Sequence, residues 1–305
     1  MLVFATSDKG GTGRSVTSCN IAYQAALQAR NTAYVDFDFG SPTAGTIFSL
    51  DDVSRGTTEG GVHSLLRGEV IEPHRLDVWH EAERSSIRSR PDGAGDLVLY
   101  PGDSGGGEFV STPDTVQRCL DFFGRLESEF DLSIIDLSAG RSYATEIVLE
   151  VLARPEMANV TSRWLIFHRW TRQHIVAANG LVNGENGIIA AGVGMGHDTD
   201  RLTASIRFVR TAFVDPDGEA LRGLAAAQIA WLHQCNNDLH RMAGDLRVGR
   251  TRMIGEVPLD PMLQWREQIL TSTDTRVRKV ANLATVEAFA TLARDLFRDE
   301  AWTLQ

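Results

Sequence analysis

Seven residues near the start of the chain, Lys9-Gly10-Gly11-Thr12-Gly13-Arg14-Ser15, have the composition of an anion cradle. Glycines let backbone N–H groups converge on a phosphate where a loop enters a helix. An ordinary phosphate-binding loop reads G-x-x-x-x-G-K-[ST]. Here its first glycine is replaced and its lysine is Arg14. Ser15 stands where a hydroxyl would ligate Mg²⁺, and Val16 opens a helical pattern. A second candidate is the pair Asp36 and Asp38 at the tip of an apolar run. Residues two apart on a strand point to the same side, so these carboxylates could orient water or Mg²⁺ near a terminal phosphate. The same pair could simply cap a strand. A third is Asp136, which follows Leu132-Ser-Ile-Ile135 and precedes Leu-Ser-Ala-Gly140. An acid in that position can hold Mg²⁺ through water, although many parallel strands end in this way. Together these residues would bind a nucleotide and transfer or release a phosphoryl group.

The elements that must position them alternate along the whole chain. Leu2–Ala5, Thr32–Phe37, Asp96–Tyr100, Leu132–Leu137, Arg163–His168, Ala204–Phe213 and Arg252–Val257 read as strands. Between them lie helical patterns, including Val16–Ala29, Val62–Arg67, Pro73–Glu83, Pro113–Phe130, Tyr143–Ala153, Arg172–Val182 and Ala220–Ala243. Residues 51–61 read as a polar loop and residues 183–202, rich in glycine, as a mobile one. The remainder after Pro261 reads as helical, ending with Val286–Arg298. Such alternation predicts a single α/β domain over residues 1–305: a doubly wound, mostly parallel sheet of about seven strands flanked by helices.

Composition narrows the classes. The chain has 305 residues and a formal net charge of −10, so no global attraction to nucleic acid or anionic lipid is expected. No apolar run is long enough to span a bilayer, and the first residues read as a strand, not a signal peptide. Three scattered cysteines, Cys19, Cys119 and Cys235, form neither a disulfide framework nor a zinc pattern, which suits a reducing cytoplasm. Of thirty basic residues only Lys9 and Lys279 are lysine. Against so strong an arginine bias, Lys9 reads as a place where a compact ammonium is required.

The form x-K-G-G-x-G-[KR]-[ST] resembles the deviant Walker A loop of the ParA/MinD ATPases, with Lys9 at the signature lysine and Arg14 in place of the loop lysine. The Asp36-x-Asp38 pair resembles that family's A′ motif, and Leu132–Gly140 its Walker B segment. Met253-Ile-Gly-Glu-Val-Pro258-Leu-Asp260 resembles its late base-contacting segment. All four occur in family order. The resemblance implies a P-loop fold that binds ATP and Mg²⁺, with Gly10, Gly11, Thr12, Gly13, Arg14, Ser15 and Val16 around the phosphates. It places Arg210 and Pro258 near the base and Ser15, Asp36 and Asp136 near the metal. Asp38 would position the attacking water, and Lys9 would reach across an ATP-dependent homodimer to the partner's phosphates. The output would be positioning or regulation of a cargo through a partner protein. Arg14 leaves open a hydrolysis-poor, nucleotide-gated binding protein, because a guanidinium is longer and planar. A ligase-type relative that phosphorylates a small acid is a further alternative. The late basic residues Arg276, Arg278, Lys279, Arg294 and Arg298 make DNA a possible partner, with a solvated helix face as the plainer explanation. A basic membrane-anchoring helix is not expected, since Asp299 and Glu300 close the C-terminal helix.

Overall fold

Every residue of strand β1 (Leu2–Thr6) is buried, as an unbroken apolar run covered on both faces requires. In the computed structural model, which describes residues 1–218, 221 and 223–303, β1 lies inside an eight-stranded sheet. The other strands are β2 (Thr32–Phe37), β3 (Leu76–Asp77), β4 (Leu97–Tyr100), β5 (Leu132–Leu137), β6 (Ser162–Arg169), β7 (Ile206–Phe213) and β8 (Met253–Pro258). Their order is β3-β4-β2-β5-β1-β6-β7-β8. All neighbours pair parallel except β3 with β4. The expected doubly wound, mostly parallel α/β architecture is what the chain adopts.

Twelve α-helices are described: α1 (Arg14–Leu27), α2 (Ala44–Phe48), α3 (Val62–Arg67), α4 (Val78–Glu81), α5 (Pro113–Glu129), α6 (Tyr143–Leu152), α7 (Arg172–Asn183), α8 (Ile188–Gly194), α9 (Thr199–Ala204), α10 (Ala226–Asp245), α11 (Pro261–Trp265) and α12 (Leu283–Asp295). Side-chain alternation along β1 feeds two apolar layers. Phe4 packs with Phe37, Trp164 and residues of α3, α5, α6 and α7 on one face. Val3 and Ala5 pack with Tyr34, Phe167, α1, α2 and Phe289 of α12 on the other.

Four expectations fail, each for a local reason. Pro73–Glu83 is not one helix: it holds the two-residue β3 and the one-turn α4, capped by Asp77, whose side chain accepts from Trp79 N. An eighth strand results. Residues 183–202 are not a loop but contain α8 and α9. One glycine there serves close packing: a Cβ on Gly192 would lie 2.5 Å from Leu202 Cδ2. The stretch after α11 is not continuous helix. Its backbone hydrogen-bonds to the Asn20 side chain instead, which donates to Gln268 O (3.0 Å) and accepts from Leu270 N (2.8 Å). The long helix starts at Ala226, not Ala220, which lies outside the described residues.

Register sets up the site. Asp136 of β5 pairs with Asp36 of β2 on one side and with Ala5 of β1 on the other. The P-loop and both acidic strand tips therefore meet at one carboxyl edge of the sheet, where open α/β sheets bind ligands.

Candidate nucleotide site

Gly11 (φ 71°) and Gly13 (φ 76°) hold left-handed backbone that side-chain-bearing residues resist, and Gly13 is the N-cap of α1. The amides of Arg14, Ser15 and Val16 have no acceptor among the described residues; Thr17 N is the first to bond, to Gly13 O at 2.9 Å. Unsatisfied donors at a helix N-terminus attract anions. They border a cavity of about 230 Å³ lined by Gly10 to Val16 together with Ser7, Asp38, Ser41, Thr43, Ile47, Ala139 and Glu267. Beside it, a cavity of about 210 Å³ is lined by Gly11, Thr12, Gly13, Val16, Thr211, Pro258 and Asp260, among others. Together they fall in the range of about 300–1,000 Å³ usual for small-molecule pockets. A larger cavity of about 500 Å³ opens near Ser162, at the amino end of β6, away from this edge.

Arg14 dominates the electrostatics. Its side chain turns inward and is 8% exposed, with Nε 2.6 Å from Asp136 Oδ1 and Nη2 2.9 Å from Asp38 Oδ2. Nη2 also lies 3.3 Å from Ser15 Oγ. The Nε contact is an ion pair, not an aligned hydrogen bond. Burial opposes the charge on Arg14, but Asp136 and Asp38 hold it protonated beyond its ordinary value. Burial likewise pushes the Asp136 carboxyl upward, against the pull of Arg14. Tyr34 Oη donates to Asp136 Oδ2 at 2.8 Å.

Asp36 does not line the cavity. It is 2% exposed, and its oxygens accept from Ala44 N (3.0 Å) and Asp38 N (3.3 Å), closing the turn from β2 into α2. Burial, with Asp136 in register beside it, pushes its carboxyl up to about 7. The expected Mg²⁺ set of Ser15, Asp36 and Asp136 is thus tied to the chain itself. Asp36 serves backbone amides, and Asp136 and Ser15 face a guanidinium. The residues present do not fit Mg²⁺ in this arrangement.

Lys9 is half-buried in the loop and joins no ion pair among the described residues; Ser7 Oγ donates to its carbonyl at 2.9 Å. Pro258 reaches the second cavity, but Arg210 does not. The Arg210 guanidinium stacks 3.4 Å from the Trp170 ring centroid and pairs with Glu256 at 3.0 Å. Trp170 in turn donates to Asn236 of α10 at 2.8 Å. Strand alternation is the reason: the next residue, Thr211, faces the P-loop and donates to Thr12 O. Thr211 and Glu267, which lines both cavities, are site residues that the sequence reading missed. Alternation along β7 could have found Thr211. Nothing in the sequence signalled Glu267, whose position depends on the distant anchor at Asn20. Of the late basic residues, Arg276, Arg278, Lys279 and Arg294 are exposed, and Arg298 lies 3.4 Å from Asp295. No helix among the described residues is long and apolar enough to cross a membrane.

Comparison with solved structures gives the architecture its place. The chain aligns with the MinD cell division protein of Aquifex aeolicus, seen there in a MinC:MinD complex, over 97% of this chain and 95% of that one (TM-score 0.55, 16% identity). The fold is that of the MinD/ParA P-loop ATPases. The septum site-determining protein MinD of Pyrococcus horikoshii, complexed with Mg-ADP, aligns over 98% of both chains (TM-score 0.54, 13% identity). A ParA family ATPase of Chlorobium tepidum aligns over 96% of this chain and 98% of its own (TM-score 0.53, 14% identity). No protein-family model and no curated protein matches the sequence. What is shared with MinD and ParA is therefore the fold.

Proposed function

We propose that this chain is a nucleotide-gated switch that binds ATP at the Lys9–Val16 loop and signals through an ATP-dependent homodimer to a partner protein. The observation that carries the reading is the cluster of unbonded α1 amides facing a cavity at the carboxyl edge of a MinD/ParA-type sheet. Backbone donors fixed by two left-handed glycines are preorganised for phosphate oxygens and need no rearrangement to bind them. In one form of the switch ATP is hydrolysed: Asp38 orients water, and Lys9 reaches the partner's phosphates and stabilises the charge that develops there. In the other form ATP is bound and turned over poorly. The second form has a specific observation on its side. Asp38, the proposed water-orienting group, is held at 2.9 Å by Arg14 of its own chain. A carboxylate committed to a guanidinium is a weaker acceptor for water. The MinC:MinD complex supports a protein as the reader of the switch.

Sedimentation of the full chain with and without ATP, beside a phosphate-release assay, tests the reading. ATP should drive monomer to dimer, and Lys9→Ala should bind ATP yet stay monomeric. Dimerisation of Lys9→Ala as strong as its parent's removes the lysine from the mechanism. Absence of any ATP effect on either protein removes the switch.

A further inference from the structure

We infer that the Arg14 guanidinium is a built-in cation standing where a P-loop protein would bind a divalent metal, so that this site takes ATP in metal-free form. The inference rests on the nucleotide-binding reading above and deepens it. Three groups that such a loop offers to a metal and its water shell, Ser15 Oγ, Asp38 and Asp136, are all contacted by one side chain, at 3.3, 2.9 and 2.6 Å. The guanidinium holds one oxygen of each carboxylate at ion-pair distance and sits beside the hydroxyl, so octahedral coordination at about 2.0–2.1 Å would have to displace it. No group of three or more His, Cys, Asp or Glu side chains able to hold a metal occurs among the described residues.

The residue type matters. Asp38 and Asp136 sit at the tips of different strands, β2 and β5, and the planar fork of arginine spans both through Nη2 and Nε. An ammonium is a single point charge on a shorter stem and cannot replace both contacts at once. Arg14 also lines the 230 Å³ cavity, and its Nη1 makes no hydrogen bond to a described group. One edge of the cation therefore holds the acidic floor, while a donor remains for a phosphate oxygen. The α1 amides supply the others.

The test is calorimetric titration of the full chain with ATP, once with EDTA and once with Mg²⁺. Wild type should bind with affinities within about twofold of each other. Arg14→Lys should bind at least about tenfold more tightly with Mg²⁺ than without it. A second readout uses Mg²⁺ alone. It should leave the wild-type melting temperature unchanged and raise that of Arg14→Ala, whose vacated carboxylates then gain a ligand of the folded state. If Arg14→Ala does not fold, the titrations of wild type and Arg14→Lys carry the test. Wild-type binding that requires Mg²⁺, or a wild-type melting temperature raised by Mg²⁺ alone, overturns this inference and leaves the nucleotide reading standing. No ATP binding in either buffer overturns both.

Discussion

Replacing Asn20 by alanine should detach a strap that crosses the nucleotide edge. Asn20 lies inside α1, fully buried, and donates to Val16 O at 2.8 Å as well as to Gln268 O at 3.0 Å. Its oxygen accepts from Leu270 N at 2.8 Å. The Val16 carbonyl keeps its helical environment in the variant, but Gln268 O and Leu270 N each lose a partner in the interior. A buried backbone group left unpaired costs about 1–3 kcal/mol, so the pair should cost about 3 kcal/mol. For a domain of this size that corresponds to a melting temperature lower by about 5 °C. The loss should be local as well as global. Hydrogen exchange should accelerate at Leu270 N before it does at the amides of β1. Glu267, two residues before Ile269, would then be less firmly held at the cavities, and ATP affinity should change together with stability. Asn20→Asp, which would bury a carboxylate against the Gln268 carbonyl, should destabilise at least as much as alanine at neutral pH. A stability loss under about 1 kcal/mol, with Leu270 exchange unchanged, would refute the reasoning.

Other substitutions probe other parts of the molecule. Asp103 caps α3 from a distant loop, accepting from Gly61 N at 3.0 Å and Ser64 N at 3.1 Å; Asp103→Ala should cost about 2–3 kcal/mol in denaturant titrations. Burial works against the Asp103 carboxylate, but hydrogen bonds from Ser64 and Gly61, with the His63 ring beside it, hold its pKa well below the ordinary range. Its contribution should therefore be complete above about pH 4 and be lost only as pH falls toward the depressed folded value, so wild type and Asp103→Ala should converge in acid. Arg210→Ala should lower stability by about 2 kcal/mol through loss of the Trp170 stack and the Glu256 pair, yet leave ATP affinity within about twofold. An ATP affinity reduced tenfold would return Arg210 to the nucleotide site. Asp136→Asn should destabilise by about 3–5 kcal/mol, since it leaves Arg14 with less compensation in a buried setting.

The parts of this molecule that sequence reveals are those governed by local rules. Unbroken apolar runs identified the central strands because strands covered on both faces have no polar face to show. The glycine loop was legible because its backbone geometry admits few residue types. Strand alternation explains the error at Arg210, since a shift of one residue moves a side chain to the opposite face. Thr211, not Arg210, meets the loop. The strap at residues 266–271 could not be read locally, because the Asn20 side chain that bonds its backbone lies some 250 positions earlier. The inward turn of Arg14 was likewise invisible. A loop arginine could equally face the phosphates, and only the packed strand tips show that two acids await it.

The same arginine bears on timing. A switch that hydrolyses its ligand carries a clock, since the chemical step sets how long the active form lasts. A covalently attached cation cannot leave with product, and it engages the acid that would aim water. Persistence of the nucleotide-bound form would then follow the dissociation rate of ATP alone. A partner that speeds or slows that escape, without any bond being broken, would set the interval.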